Sequence, residues 1–145
     1  MAHLRKLILG TCAAALMATG VAAKNDITVA MQLEPPHLDP TSAAAGAIDQ
    51  VLYSNVFEGL TRFLGDGSVV PGLAQSWEIS DDGLTYTFKL QSGVTFHDGT
   101  TMDAADVKFS LDRINAEDSA NAQKALFGAI SEVTVVDPST VEIKL

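Results

Sequence analysis

Apolar and polar residues alternate most clearly in two stretches of the chain. The first stretch runs from Trp77 to Leu90 and is interrupted by polar turn residues around Asp82-Gly83. The second consists of residues 130–136 and 141–145 on either side of Asp137-Pro138. A period of two places alternate side chains on the same face of a strand. Each stretch therefore predicts a β-hairpin with one apolar face.

Helical spacing of apolar residues predicts three helices, over Ala43–Thr61, Ala104–Ile114 and Ser119–Phe127. The apolar run Ile27–Gln32 predicts a short strand, and the proline-rich segment "LEPPHLDP" that follows predicts a loop. "LGDGSVVPG" and "FHDGT" have the composition of Asp-Gly turns. Strands and helices mix without a regular β-α-β order, so the predicted fold class is α/β, of the mixed α+β kind.

The first 23 residues have the order of regions of a secretory signal peptide. Arg5 and Lys6 are basic, residues 7–21 are apolar, and Val21 and Ala23 are small residues at −3 and −1 of a cut before Lys24. The apolar run is shorter than the roughly 20 residues that span a bilayer. We therefore expect a cleaved signal peptide, export by the general pathway and a periplasmic location. Cys12, the single cysteine, lies within this segment, so the mature chain is expected to form no disulfide.

Charge narrows the range of partners. The 9 basic residues lose Arg5 and Lys6 on processing, so seven remain against 18 acidic residues, a net charge of −11. Such a chain repels nucleic acid and anionic lipid, so no nucleic-acid partner is expected. The chain stops within the alternating pattern of residues 141–145. We therefore expect a truncated chain whose last strand leaves an open edge, prone to self-association.

The segment "FHDGTTMDAADVKFSLDR", residues 96–113, is the densest polar stretch and raises the question of catalysis. Asp103 precedes a predicted helix and Asp106 lies three residues later, which is the spacing of an N-cap and its partner in the first turn. Asp98 lies in an Asp-Gly turn, where its side chain can accept from its own backbone. Asp103 and Asp106 are therefore predicted to be structural helix-cap residues.

The sequence lacks the common motifs of catalytic and metal-binding sites. Adjacent residues on a strand point to opposite faces, so His97 and Asp98 make a poor catalytic pair. A zinc site needs a second His or Cys at short spacing, and His37 is distant. Neither a phosphate-binding loop nor a serine nucleophile motif is present. Trp77, Tyr86 and Phe88 could stack on a ligand, although core packing is the commoner role of hairpin aromatics. We therefore expect no catalytic residue, no metal site and no cofactor.

Four stretches together resemble the N-terminal part of the family 5 extracellular solute-binding proteins, the periplasmic dipeptide- and oligopeptide-binding components of ABC transporters. In chain order they are "LEPPHLDP", "SNVFEGLTR", "PGLAQSWEISDDGLTYTFKLQSGVTFHDG" and "DAADVKFSLDR". Each stretch is weak by itself, but the ordered set is specific and covers nearly the whole mature chain. Met102-Asp103 departs from the family, where an apolar residue and Thr are more frequent.

The resemblance implies a two-lobed periplasmic-binding-protein fold of type II, of which this chain is the N-terminal portion. Residues 24–42 would be the first strand and loop of the ligand-binding lobe. Residues 43–145 would form the extra N-terminal α/β domain, truncated, and the second lobe would be absent. Leu33, Glu34 and Pro35 would approach the ligand.

The function that the resemblance implies is capture of a peptide or similar small solute and its delivery to an ABC transporter permease at the inner membrane. The full-length protein is expected to be monomeric and not an enzyme. Nickel, haem, opine, glutathione and oligosaccharide binders share the same N-terminal motifs, so the solute stays open within this class. An exported hydrolase that uses acidic residues is the alternative.

Overall fold

The structure of the chain is a computed structural model that describes residues 26–41, 46–53 and 55–145. The chain divides into two compact units, residues 1–31 and residues 32–145. The described residues of the first unit, 26–31, form neither helix nor strand. The predicted signal peptide, residues 1–23, lies outside the described residues.

The second unit contains two helices, six strands and one short 3₁₀ helix among its described residues. In chain order these are α1 (Gly46–Leu52), β1 (Thr61–Phe63), β2 (Val69–Pro71), β3 (Ala74–Ile79), β4 (Thr85–Leu90), α2 (Ala104–Asn115), the 3₁₀ helix (Lys124–Phe127), β5 (Glu132–Asp137) and β6 (Thr140–Lys144). β1 and β2 pair as a small antiparallel hairpin. The other four strands form an antiparallel sheet in the order β3-β4-β6-β5. The predicted mixed α/β class is confirmed.

Both predicted hairpins are present, and their registers preserve the alternation seen in the sequence. Trp77 pairs with Phe88 in the β3–β4 hairpin, and Val135 pairs with Val141 in the β5–β6 hairpin. Phe88 also pairs with Val141, which joins the two hairpins through β4 and β6. Apart from Val136, which lies in the register break of β5 and is exposed, the apolar residues of the four strands therefore share one face of the sheet.

The position of β6 contradicts the expectation that the last strand leaves an open edge. β6 lies inside the sheet and pairs with β4 on one side and β5 on the other. The edges are β3 and β5, and each contains a break in register, between Ala74 and Ser76 in β3 and between Val135 and Asp137 in β5. Bulges of this kind twist an edge strand and hinder pairing with another chain.

The main core lies between the apolar face of the sheet and α2. Its buried residues are Leu90, Ala104, Val133, Val141 and Ile143. Tyr86, Phe88, Met102, Val107 and Leu111 are among the partly buried side chains that pack against them. Lys108 of α2 also donates to the Val133 carbonyl of β5 at 2.8 Å, so the helix is attached to the sheet by a polar contact as well.

The helix predicted over Ala43–Thr61 ends earlier in the structure, because α1 stops at Leu52. The predicted start, residues 43–45, lies outside the described residues. The Gly59 and Leu60 carbonyls accept from the N–H groups of residues 72–74 instead of continuing a helix. This close approach requires Gly72, because an added Cβ would lie 2.5 Å from the Gly59 oxygen. Tertiary hydrogen bonds thus override the helical spacing of this segment.

Two other predicted elements are wrong in extent or kind. Residues 27–32 form no strand: no strand pairs with them in the described ranges, and Ile27 is 87% exposed. A short apolar run does not make a strand when its backbone N–H and C=O groups have no neighbouring strand to pair with. The helix predicted over Ser119–Phe127 is only the 3₁₀ turn of Lys124–Phe127. There the Asn121 side chain accepts from the Gln123 N–H at 2.8 Å, which competes with helical bonding.

The start of α2 is a capping box. The Asp103 carboxylate accepts from the Ala105 N–H at 2.7 Å and also from the backbone of Asp106. The Asp106 carboxylate accepts from the Asp103 N–H at 2.9 Å. These contacts satisfy N–H groups at the helix start that have no partner within the helix.

We expect Asp103→Ala to lower the free energy of unfolding by about 0.5–2 kcal/mol, because the first turn of α2 loses its cap. Chemical denaturation measures this change. Asp103→Asn, which keeps an acceptor oxygen, should cost much less. Equal unfolding midpoints for Asp103→Ala and the unmodified protein would show that the cap does not stabilise α2.

Candidate functional site

The acidic residues of segment 96–113 are distributed between a turn and a helix cap. The Asp98 carboxylate accepts from the Thr100 N–H at 2.9 Å and from the Thr100 hydroxyl at 2.7 Å. Asp103 and Asp106 form the capping box of α2, and Asp112 pairs with Lys108 at 2.9 Å on the surface of the helix. Each of these carboxylates is occupied by a local structural contact.

Neighbouring groups do not assemble into a catalytic or metal-binding cluster in the part of the chain that the structure describes. His97 and Asp98 form no hydrogen bond or ion pair with each other among the described contacts. Within residues 26–41, 46–53 and 55–145, no three His, Cys, Asp or Glu side chains gather closely enough to hold a metal ion.

One kind of turn recurs at several of the Asp residues. Four Asp residues each accept from both the N–H and the hydroxyl of the Ser or Thr two residues later: Asp39, Asp66, Asp98 and Asp137. Asp82 differs, because it accepts from the Ser80 hydroxyl and the Leu84 N–H. Hydrogen bonds to the ionised form, with the hydroxyl bond as the largest cause, lower the pKa of all five carboxyls.

Ligand contacts were predicted for Leu33, Glu34 and Pro35, which lie at the start of the loop of residues 32–41. Leu33 is 66% exposed, Glu34 is exposed and Pro35 is half-buried. Within the described ranges, no hydrogen bond or ion pair engages the Glu34 carboxylate. The three residues therefore present one carboxylate and one apolar side chain to solvent, and their role as ligand contacts stays a prediction.

The other end of this loop is fixed by Asp39. Its Oδ1 accepts from the Thr41 N–H at 2.8 Å and the Thr41 hydroxyl at 2.6 Å. Its Oδ2 lies 3.8 Å from Nη2 of Arg113, at the C-terminal end of α2. This ion pair was not predicted from the sequence, although the Asp-Pro-Thr spacing of residues 39–41 indicates the turn.

A shallow polar cleft of about 300 Å³ lies where the loop meets the end of α2. Asp39, Thr41, Arg113, Asp118 and Ser119 contribute to its lining. It is open and contains charges of both signs, so it is suited to water and to ion pairing between the surrounding elements. It does not have the apolar lining that is typical of a small-molecule pocket.

The hairpin aromatics are part of the packed face of the sheet. Trp77 and Phe88 have ring centroids 6.3 Å apart, and Tyr86 and Phe88 have centroids 6.5 Å apart. Tyr86 and Phe88 also pack against the buried core. These contacts favour the structural role of the aromatic residues.

In the described ranges, no helix is both long and apolar enough to cross a membrane.

Comparison with known families identifies the chain. The sequence profile of the bacterial extracellular solute-binding proteins, family 5 Middle, matches residues 68–145, which include the whole four-stranded sheet and α2. The chain belongs to family 5 of the bacterial extracellular solute-binding proteins.

Curated relatives extend the match to nearly the full chain. It is 38% identical over 141 residues to the glutathione-binding protein GsiB of Pectobacterium atrosepticum, covering 97% of this chain and 27% of the relative. It is also 38% identical over 145 residues to GsiB of Escherichia coli K12, covering 99% of this chain and 28% of the relative. The chain thus spans little more than a quarter of the length of these relatives.

Solved structures of the family have the same fold over this region. NikZ from Campylobacter jejuni, in complex with Ni(L-His), superposes with a TM-score of 0.68 at 36% identity, covering 78% of this chain and 22% of that one. The murein tripeptide binding protein MppA of Escherichia coli superposes with a TM-score of 0.67 at 32% identity, covering 77% and 25%. The family 5 chain therefore has the fold of the corresponding portion of the type II periplasmic binding proteins.

The five Asp turns predict that acid destabilises this family 5 chain. Each folded-state pKa lies below the unfolded value, so the stabilisation is complete above the unfolded pKa of about 4 and is lost as the pH falls through the lower folded pKa. We expect the denaturant midpoint to change little near pH 6 and to fall below about pH 4. Asp98→Asn, which cannot ionise, should show a weaker decline. A midpoint that rises on acidification would contradict this assignment of the carboxyl groups.

Proposed function

We propose that this chain serves in a non-catalytic periplasmic solute-binding protein that captures a peptide or peptide-like solute and delivers it to an ABC transporter permease. The observation that carries this proposal is the 38% identity to a glutathione-binding protein along 97% of the chain. The geometry supports it, because the described carboxylates of the 96–113 segment are engaged in turns, a cap and an ion pair rather than in a reactive cluster.

The proposed solute is a small molecule with amino and carboxylate groups. Two curated relatives at 38% identity bind glutathione, which is itself a peptide, and a solved neighbour binds a murein tripeptide. Another neighbour was solved with nickel and L-histidine, which also presents these groups. A peptidic solute accounts for more of these relatives than a sugar or a bare metal ion.

The proposed ligand contacts are Leu33, Glu34 and Pro35. Exposure of Leu33 and Glu34 leaves an apolar side chain and a carboxylate accessible to a solute with an ammonium group. We assign residues 24–42 to the ligand-binding lobe and residues 43–145 to the extra N-terminal domain. A second lobe would then enclose the solute, as burial between two lobes raises affinity.

Export is the first testable part of this proposal. Small residues at Val21 and Ala23, after a basic and apolar start, favour cleavage before Lys24. We expect N-terminal sequencing of the periplasmic fraction to begin at Lys24. A mature protein that is lipid-modified at Cys12, or one that stays in the cytoplasm, would contradict the proposed location.

Solute binding is the second part. Calorimetry of the full-length protein with glutathione, and with a defined tripeptide, should give one site per monomer without release of cleaved product. Glu34→Gln should weaken binding about tenfold or more, since a charge-assisted hydrogen bond to the solute is lost. Glu78→Gln, an exposed acid of β3, is the matched control and should leave binding unchanged. Cleavage of the peptide would favour the hydrolase, and equal affinities for both variants would exclude Glu34 as a contact.

A further inference from the structure

The loop of residues 32–41 has one constrained end and one accessible end. Pro35, Pro36 and Pro40 restrict its backbone, and the Asp39–Thr41 turn closes its C-terminal end. Leu33 and Glu34, by contrast, are exposed. The direction in which the exposed end points therefore depends on how the constrained end is oriented.

One carboxylate links that turn to the scaffold. Oδ1 of Asp39 accepts the two hydrogen bonds from Thr41, and Oδ2 faces the Arg113 guanidinium at 3.8 Å. The two oxygens thus have separate partners, so the charge on Asp39 can attract Arg113 while the turn remains closed. The pair is about half exposed, which limits its strength.

Arg113 lies on an element that is held in place at several points. The N-terminus of α2 has the capping box, and Lys108 joins its middle to the Val133 carbonyl of β5. After its C-terminus, the Lys124 amine donates to the Ala116 carbonyl at 2.5 Å and the Glu117 carbonyl at 3.3 Å. Because α2 is held at these points, its Arg113 can hold a neighbouring loop in a defined position by pairing with it.

We propose that Arg113 is a positioning residue for solute binding: its ion pair with Asp39 orients the 32–41 loop on the end of α2 and thereby places Glu34. The expected effect of the ion pair on affinity rests on the proposed function. The effect of the ion pair on the loop does not depend on any solute. In this role both residues act on the solute site through the loop.

Hydrogen exchange of residues 33–41 in the full-length protein tests the loop directly. We expect Arg113→Gln to raise the exchange rate of the loop amides by up to about fivefold. This limit follows from the small stabilisation that an exposed ion pair provides. Asp39→Asn should do the same, because the amide keeps an acceptor for Thr41 but loses the charge. Arg113→Lys should retain part of the protection. High salt should raise exchange in the unmodified protein and not in Arg113→Gln.

Two matched controls separate this role from general stability. Asp98→Asn alters the same kind of Asp-Thr turn, in which the pKa of Asp98 is lowered by Thr100 and its own backbone without an Arg. Asp112→Asn removes the Lys108 ion pair on the same helix. Both should leave loop exchange unchanged. Unchanged exchange in both Arg113→Gln and Asp39→Asn would overturn the proposal.

Affinity for glutathione and for the tripeptide completes the test. Arg113→Gln and Asp39→Asn should each weaken binding by up to about fivefold, and the double variant should be no weaker than either single one. Faster exchange with unchanged affinity would overturn the link to Glu34. If the unmodified protein binds neither solute, the proposed function fails, whereas the exchange measurements still decide whether Arg113 positions the loop.

Discussion

The pairing of β4 with β6 is the contact on which the four-stranded sheet and its core depend. Each hairpin forms from residues that are close in sequence, but β4 and β6 are joined across the segment that contains α2. Their pairing turns two hairpins into one sheet with a continuous apolar face. A single hairpin is at best marginally stable in water, whereas four strands with a helix on one face can enclose a core. The burial of Ala104, Val133 and Val141 follows from this contact.

The elements that could be predicted from the sequence are those whose hydrogen bonds are local. The hairpins at Asp82-Gly83 and Asp137-Pro138 and the helix that begins after Asp103 carry their turn and cap residues within a few positions. The helix predicted over Ser119–Phe127 is replaced by a short turn through a local bond of Asn121, whereas two other wrong predictions depended on distant partners. Helical spacing continues past Leu52, but the Gly59 and Leu60 carbonyls bond to residues 72–74. Likewise, the central position of β6 depends on β4, which no local pattern indicates.

In the candidate site, too, local contacts could be predicted from the sequence and distant contacts could not. An Asp two residues before a Ser or Thr indicates a turn from sequence alone. At Asp98 this turn engages the carboxylate in two hydrogen bonds from Thr100. The Asp39–Arg113 ion pair joins two segments far apart in the chain and could not be predicted in that way. The role of Leu33, Glu34 and Pro35 as ligand contacts stays a prediction, with which the exposure of Leu33 and Glu34 is compatible.

Turns and helix caps engage many carboxylates of this acidic chain in local hydrogen bonds. A carboxylate that accepts two or three local hydrogen bonds is a weaker base than a free carboxylate, because those bonds stabilise its ionised form. The same contacts hold loops in fixed orientations, and a preordered loop loses less conformational entropy when a ligand binds. Asp39 combines both effects, because one oxygen closes its turn and the other faces Arg113. In the proposed arrangement, α2 thus determines the position of Glu34 through the Asp39 turn and not through a direct contact.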